Sequence, residues 1–296
     1  MSAEPGNSVH RLLFNQRELR AGWRLLIFVA LVIAFTFGVR LAVKWLSPHA
    51  DSDTRFILRE VTDFLVFLLA SWIMARYEKR SIADYGLPWR RMFQTRFWQG
   101  MALGFAAISV LIGALRLAGV FRIERLALHG ANVWRWAAIY FIVFVLVALR
   151  EEFRARGYAL YTLTAGFGFW PAALPTSAFF GYSHVGNRGE DWIGLFNAAF
   201  FGVLFCFLVR RTGDLWMPIG FHLAFDWGQT YFYGVADSGN VTPGHLLDSA
   251  SSGPAWLSGG AVGPEGSALC TAVIALVWLL CAFWLHQTGY PRSAIE

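Results

Sequence analysis

Six residues in the second half of the chain could carry acid–base chemistry. They stand in three short patterns: Glu151, Glu152 and Arg156; His184; and His222 with Asp226. The first pattern comes directly after a run of apolar residues, and the other two lie in the stretches FFGYSH and WMPIGFHLAFDW. An ionisable side chain at membrane depth costs about 2.5–3.5 kcal/mol on insertion scales, so such residues indicate a functional site by default.

Helical spacing gives the acidic residues of the first and third patterns different roles. Glu152 and Arg156 are four residues apart and can form an ion pair on one helix face. Glu151 points about 100° away from Glu152, with Arg154 as its nearest local partner. His222 and Asp226 also share a face, and a carboxylate that accepts an imidazole N–H fixes the tautomer and orientation of the ring. For Glu152 and Arg156 alone, a purely structural ion pair is an equally good interpretation.

The composition indicates a protein that crosses a membrane several times. The 296 residues are 56% hydrophobic and only 15% charged, whereas soluble domains average about a quarter charged. The three cysteines all lie in apolar runs and form no CxxC pair, which is typical of packing residues. In a membrane protein, the net charge of +6 gives no reason to expect nucleic-acid binding, because basic residues gather in cytoplasmic loops.

The hydropathy pattern predicts an all-α bundle of about eight transmembrane helices, at roughly 24–46, 56–76, 97–119, 133–163, 168–185, 191–209, 215–235 and 268–287. The second span contains Glu60 and Asp63 in its first two turns. The fourth must continue through the charged stretch to about Leu163 if Glu151, His184 and His222 are to reach similar depths. Gly100 and Gly104 form a GxxxG pattern, which is typical of close helix contact.

We divide the chain into three parts: N-terminal helices at 1–130, a core with the three patterns at 131–235, and an external loop with the last helix at 236–296. Sixteen of the 25 Lys and Arg residues fall on one side of the predicted bundle. This bias predicts that both termini are cytoplasmic and that the 236–267 loop, which lacks Lys and Arg, is outside.

Taken together, the three patterns resemble the motifs of the CPBP family of intramembrane proteases. The matching residues are Glu151-Glu152-x-x-x-Arg156, Phe180-x-x-x-His184 and His222-x-x-x-Asp226, with Trp216-Met217-Pro218-Ile219 similar to the family's lead-in to the third motif. The family includes the type II CAAX prenyl endopeptidases and bacterial bacteriocin-processing or self-immunity proteins. Each motif is weak alone, but the three in order on membrane helices are specific.

The resemblance implies peptide-bond hydrolysis in a cavity open towards the cytosol, within an integral protein of a bacterial inner membrane. By residue, it implies that Glu151 activates water, that His184 helps to hold this water, and that His222 and Asp226 stabilise the oxyanion or complete a metal site. We include Glu152 in the catalytic set and assign Arg156 to a structural ion pair. The expected partners are the lipid bilayer and a membrane-associated protein or peptide substrate, with no nucleic acid.

Zinc is an open alternative, held by His184, His222 and Glu151 if a metal is used. Bound zinc lowers the pKa of water to about 7, but the chain has no HExxH pattern. We favour glutamate chemistry without a metal and count no cofactor as certain.

Two other classes of protein stay open. Intramembrane carboxylates and histidines also build the pathways of ion- or proton-coupled transporters. A non-catalytic immunity or scaffold protein could use the same fold.

Overall fold

The structure is a computed structural model that describes residues 13–15, 18–47, 49 and 51–286. Most of this range is helical. The helices of ten or more residues are α1 (Ala21–Leu46), α2 (Ser52–Glu78), α3 (Thr95–Leu117), α4 (Ala131–Arg156), α5 (Tyr158–Phe167), α6 (Phe169–Tyr182), α7 (Trp192–Thr212), α8 (Trp216–Trp227) and α9 (Ala268–Trp284). A π-helix, Gly228–Phe232, continues α8 without a break.

Two small antiparallel sheets accompany the helices, so the prediction of an all-α fold needs a correction. Strands β1 (Phe14–Asn15) and β2 (Glu18–Leu19) pair before α1. Strand β3 (Phe121–Leu126) pairs with β4 (Leu247–Ser251), which lies in the predicted external loop. Backbone groups that no helix satisfies find partners here instead.

The prediction of about eight spans is not confirmed. By length and composition, four helical stretches of the described range are able to cross a membrane: Ala21–Leu46, Thr95–Leu117, Ala131–Phe167 and Trp192–Thr212. Helix α2 is long enough but carries charged residues in its first half, α6 has only 14 residues with Pro175 inside it, and α9 has 17. Exposed apolar side chains on α1, such as Ile33 and Phe37, fit contact with lipid.

The predicted fourth span is interrupted at Gly157. Helix α4 does continue through the charged stretch, but it ends at Arg156, and α5 begins at Tyr158. Gly157 has ψ of −121°, which no helix contains, and a Cβ built there would lie 2.4 Å from the Phe153 carbonyl oxygen. Because glycine has no side chain, the backbone can leave the helical conformation at Gly157. The hydropathy pattern of the predicted fourth span does not indicate this break.

One end of the bundle, called here the basic end, contains residues 79–94 and 213–215, which contact each other. The Leu215 N–H donates to the Gly86 carbonyl, and Arg91 pairs with Asp214 at 3.2 Å. Glu78 accepts hydrogen bonds from the hydroxyls of Tyr85 and Tyr158. These contacts tie the ends of α2 and α7 and the start of α5 together.

The opposite end, called here the sheet end, contains β3, β4 and residues 118–130, 183–191 and 233–267. The Tyr231 hydroxyl donates to the Val133 carbonyl, and that of Tyr140 donates to the Pro243 carbonyl. Asn197 near the start of α7 donates to the carbonyls of Glu265 and Ser267. The long segment after α8 therefore folds back over the ends of α4 and α7.

Close packing of α3 on α8 holds the third motif in place. A Cβ built at Gly100 would lie 2.1 Å from the Met217 carbonyl oxygen, and one at Gly104 would lie 2.2 Å from that of Phe221. A Cβ built at Gly220 would likewise lie 2.1 Å from the Phe97 carbonyl oxygen. The structural interpretation of the GxxxG pattern is thus confirmed, and this contact sits one residue before His222.

Candidate active site

A buried ion pair forms the innermost part of the site. Arg156 Nη1 donates to both carboxylate oxygens of Glu152, at 2.9 and 3.0 Å, and both side chains are fully buried. The Arg156 guanidinium also lies over the ring of Phe180, with 4.4 Å from Cζ to the centroid, and over Phe205 at 5.3 Å. The pair predicted from i,i+4 spacing is present, and two aromatic faces cover its cation.

His222 connects this ion pair to the rest of the site. Its Nδ1 lies 2.9 Å from Glu152 Oε1, and its Nε2 lies 3.2 Å from Asp226 Oδ2. The predicted Asp226 contact is therefore present, while the contact to Glu152 was not predicted because the two residues are 70 positions apart. Nε2 also lies 3.8 Å from Glu151 Oε2, so one imidazole contacts all three carboxylates.

Glu151 faces away from Glu152, and its strongest partner is its own neighbour in the chain. Arg150 Nη2 donates to Glu151 Oε1 at 2.6 Å, and Arg150 Nε lies 2.5 Å from Glu60 Oε2 on α2. Arg154, the partner suggested by the sequence, has its guanidinium over Phe179 instead. Glu60 is almost completely buried. Its position at membrane depth was the signal that could have identified it from the sequence.

His184 lies two residues beyond the end of α6, and its backbone environment fixes how it can act. Its Nδ1 lies 2.8 Å from the Phe180 carbonyl oxygen, which can only accept. Nδ1 is therefore the donor, and in a neutral ring Nε2 carries the lone pair. A ring in this tautomer can accept a hydrogen bond from water at Nε2.

The Phe180 ring contacts a residue of each of the three motifs. Its ring lies 4.9 Å from the His184 ring and 6.2 Å from the His222 ring, centroid to centroid, in addition to its contact with Arg156. In the sequence, Phe180 was notable only as the first residue of the second motif. The structure gives it a physical task, which is to keep the ion pair dry and to space the two imidazoles.

The site opens into a cavity of about 860 Å³. Glu151, His184, His222 and Asp226 line it, and Glu152 and Arg156 lie behind them. The structure therefore brings together the predicted residues of α4, α8 and the turn after α6. Other lining residues come from the sheet end: Asn187, Glu190, Asp237, Ser238, Asn240, Thr242, Pro243 and Glu265.

A second group of acids stands at the mouth of this cavity. Glu265 accepts hydrogen bonds from Gln229 Nε2 at 2.7 Å and from the Ser238 N–H at 2.8 Å. Burial, with the nearby Asp226 carboxylate, raises the pKa of Glu265 to about 7. Burial and the charges of Asp226 and Glu265 likewise raise the pKa of Asp237 well above its usual value. Nothing in the motifs pointed to these residues.

Within the described residues, no three His, Cys, Asp or Glu side chains converge in a way that could hold a metal ion. His184 uses Nδ1 on a carbonyl and leaves Nε2 free, and both nitrogens of His222 face carboxylates.

The fold and site define a helical membrane protein with a carboxylate–histidine centre enclosed in its bundle. Residues 131–228 match the family model described as type II CAAX prenyl endopeptidase Rce1-like, which is a protease family. The resemblance drawn from the three motifs is thus confirmed over a third of the chain. No curated protein and no solved structure matches.

Proposed function

We propose that the protein is an intramembrane endopeptidase that hydrolyses a peptide bond of a membrane-associated protein or peptide inside this cavity. The observation that supports this most strongly is the difference between two adjacent glutamates. Glu152 is sealed against Arg156, while Glu151 faces the cavity between His222 and Arg150. Of the two glutamates, Glu151 is therefore the proposed base that takes a proton from water.

In the proposed reaction, Glu151 removes a proton from a water molecule while His184 Nε2 accepts the other water proton in a hydrogen bond. The water oxygen attacks the substrate carbonyl carbon, and a C–O bond forms as the C=O double bond becomes an oxyanion. Glu151 then returns the proton to the leaving nitrogen as the C–N bond breaks. A positioned general base contributes about 10²–10⁴ to such a rate.

His222 is the proposed donor to the oxyanion. Its Nε2 lies between Asp226 Oδ2 and Glu151 Oε2, and Glu152 holds the ring from behind through Nδ1. A substrate carbonyl that enters beside Glu151 meets this N–H edge. Loss of one oxyanion donor costs about 10²–10³ in rate, so His222→Ala should lower turnover by that factor.

The proposal is tested by comparing membranes that contain the wild-type protein, Glu151→Gln or Glu124→Gln. Glu124 is an exposed glutamate on β3 that does not line the cavity, so it is a matched control. We expect one or more precursors to accumulate with Glu151→Gln and to be processed normally with Glu124→Gln. Equal precursor levels in all three, together with no turnover by purified protein, would overturn the proposal.

The role of metal is tested on the purified, active protein. The reaction above uses no metal, so we expect chelators to leave the rate unchanged and His222→Ala to leave the metal content unchanged. About one zinc ion per active chain, lost together with activity, would falsify this scheme.

A transporter makes a different prediction. The residues lining the described cavity come from the sheet end and the bundle interior, with none from the basic-end segments 79–94 and 213–215. An alternating-access transporter is also open to one face at a time, so the two functions are separated by assay. Proton or ion flux in liposomes that requires Glu151, without peptide cleavage, would favour the transporter. Intact membranes with neither activity would favour the scaffold.

A further inference from the structure

The cavity reaches the surface at the sheet end, where its lining includes the exposed residues Ser52, Ser183 and Asn240. The lining runs along α4 from Trp136 to Arg154 and from Phe221 on α8 to Thr230 in the π-helix, and it ends among residues 237–243 and Glu265. Helix α2 contributes its first residues, from Ser52 to Asp63, to the same wall. A substrate therefore enters past the segment 233–267.

The basic end is closed by packed aromatic side chains. Tyr85, Tyr158, Tyr161 and Trp216 are all fully buried there. Tyr85 packs edge-on against both Tyr158 and Tyr161 with centroids 5.0 Å apart, and the Trp216 indole N–H donates to the Pro88 carbonyl at 3.0 Å. A path from Glu151 to this end would have to break these contacts.

The distribution of basic residues shows which end should face the cytoplasm. The basic-end connections 79–94 and 213–215 hold four Lys or Arg in 19 residues, and Arg76, Arg96, Arg210 and Arg211 flank them. The sheet-end connections 118–130, 183–191 and 233–267, together with 47–51 between α1 and α2, hold three in 62 residues, and Lys44 and Arg116 flank them at the same distance. Cytoplasmic connections of membrane proteins carry the excess of Lys and Arg.

These observations separate two expectations that the sequence allowed together. The resemblance implied a cavity open towards the cytosol, and the charge bias put the 236–267 loop outside. Because residues of this loop line the cavity mouth, only one of the two can hold. The cytoplasmic termini themselves lie outside the described residues.

We infer that the cavity opens on the extracytoplasmic face, so that the substrates are exported polypeptides or the extracytoplasmic ends of membrane segments, rather than cytosolic C-terminal tails. The substrate part of this inference rests on the proposed function, whereas the direction of the opening does not. Glu151 would be reached through the chamber from the outer side. Cytosolic proteins would be excluded by the closed basic end.

The opening is tested with single-residue substitutions and a membrane-impermeant thiol reagent. Asn240→Cys places a thiol at an exposed position of the cavity mouth, and Arg90→Cys places one at an exposed position of the basic end. The parent chain is the control, since its three cysteines are buried. Labelling is measured in right-side-out and inside-out vesicles, with detergent-opened vesicles to establish full labelling.

We expect Asn240→Cys to react at least tenfold faster in right-side-out than in inside-out vesicles, and Arg90→Cys to show the reverse. The opposite pattern, or labelling of both positions from the same face, would overturn the inference. These measurements require no proteolysis, so they stand even if the enzyme proposal fails.

The substrate class is tested on the precursors that accumulate with Glu151→Gln. Their cleavage sites should lie in exported or extracytoplasmic segments. Cleavage sites confined to cytosolic tails would refute the substrate class while leaving the measured orientation intact. If no precursor accumulates and purified protein cleaves nothing, the proposed function fails and the orientation result still decides the opening.

Discussion

Two halves of the site, built from neighbouring residues, have opposite environments. The buried half consists of Glu152, Arg156, Phe180 and Phe205, and its ion pair has no exposed surface. The cavity half consists of Glu151, Arg150 and Asp226, with Glu60 buried behind Arg150, and the side chain of Glu151 keeps 14% exposure. His222 contacts both halves. A rotation of about 100° between consecutive helical residues therefore separates a structural acid from one that can meet water.

The substitution with the largest expected effect is Glu151→Gln in the cavity half. Turnover should fall by about 10²–10⁴, since the general base is lost, while protein abundance and melting temperature stay at the wild-type level. Cleavage by equal amounts of purified protein gives the rate, with Glu124→Gln as the control. A Glu151→Gln variant that keeps its activity would remove this residue from the chemistry.

A substitution in the buried half should lower the stability of the protein. Glu152→Gln leaves the Arg156 cation without its counter-charge, and breaking a buried pair in this way typically costs about 3–5 kcal/mol. We expect reduced abundance and a lower melting temperature in detergent. If Glu152→Gln were stable but inactive while Glu151→Gln stayed active, the roles of the two halves would be inverted.

Asp226 tests how His222 is oriented. Asp226→Asn can still accept the imidazole N–H, so substantial activity should remain. Asp226→Ala leaves Nε2 without that partner and should lower turnover by about 10- to 100-fold, because a hydrogen bond to a charged group is worth about 1.5–3 kcal/mol. Both rates are to be compared at matched folded concentration. Equal rates for the two variants would show that Asp226 does not orient the ring.

Glu60 tests whether the cavity half depends on α2. Through Arg150 it is a positioning residue for Glu151. Glu60→Gln should lower kcat by about tenfold with little change in KM, because one charge-assisted contact, worth about 1.5–3 kcal/mol, is weakened. Glu60→Asp should recover part of the loss. A change confined to melting temperature would show that the Glu60–Arg150 pair only stabilises the fold.

The smallest expected effect concerns pH and the acids at the cavity mouth. The folded-state pKa of Glu265, about 7, is above its ordinary value of 4.5. The folded protein therefore binds the extra proton, and the corresponding stability is present below pH 4.5 and is lost as the pH rises through 7. Melting temperature should fall from pH 5 to pH 8, and less steeply in Glu265→Gln. Identical slopes would show that Glu265 does not contribute. Asp237 acts in the same direction, so a slope should remain in the variant.

Contacts within one helix were accessible from the sequence. Glu152 with Arg156 and His222 with Asp226 are separated by four residues, and helical geometry places such pairs together wherever the helix lies. The close approach at Gly100 and Gly104 was readable for the same reason, because small residues at that spacing create a groove.

The number of membrane spans and the continuity of each span were harder to predict from the sequence than contacts within one helix. Hydropathy detected apolar stretches, but α6 is too short to cross alone and Gly157 interrupts the fourth span. An apolar run indicates that its residues contact lipid or the protein core, but it does not indicate where the backbone turns.

By itself, the sequence determined which acids and histidines the chain could use and which of them share a helix face, because these follow from residue type and a fixed helical repeat. Only the tertiary structure decided that His222 meets Glu152, that Glu60 reaches Arg150, and that the cavity opens beside residues 237–243. Glu152 and His222 are 70 positions apart, and Glu60 and Arg150 are 90 positions apart with α3 between them. Such contacts depend on how the helices pack, and no local pattern encodes that packing.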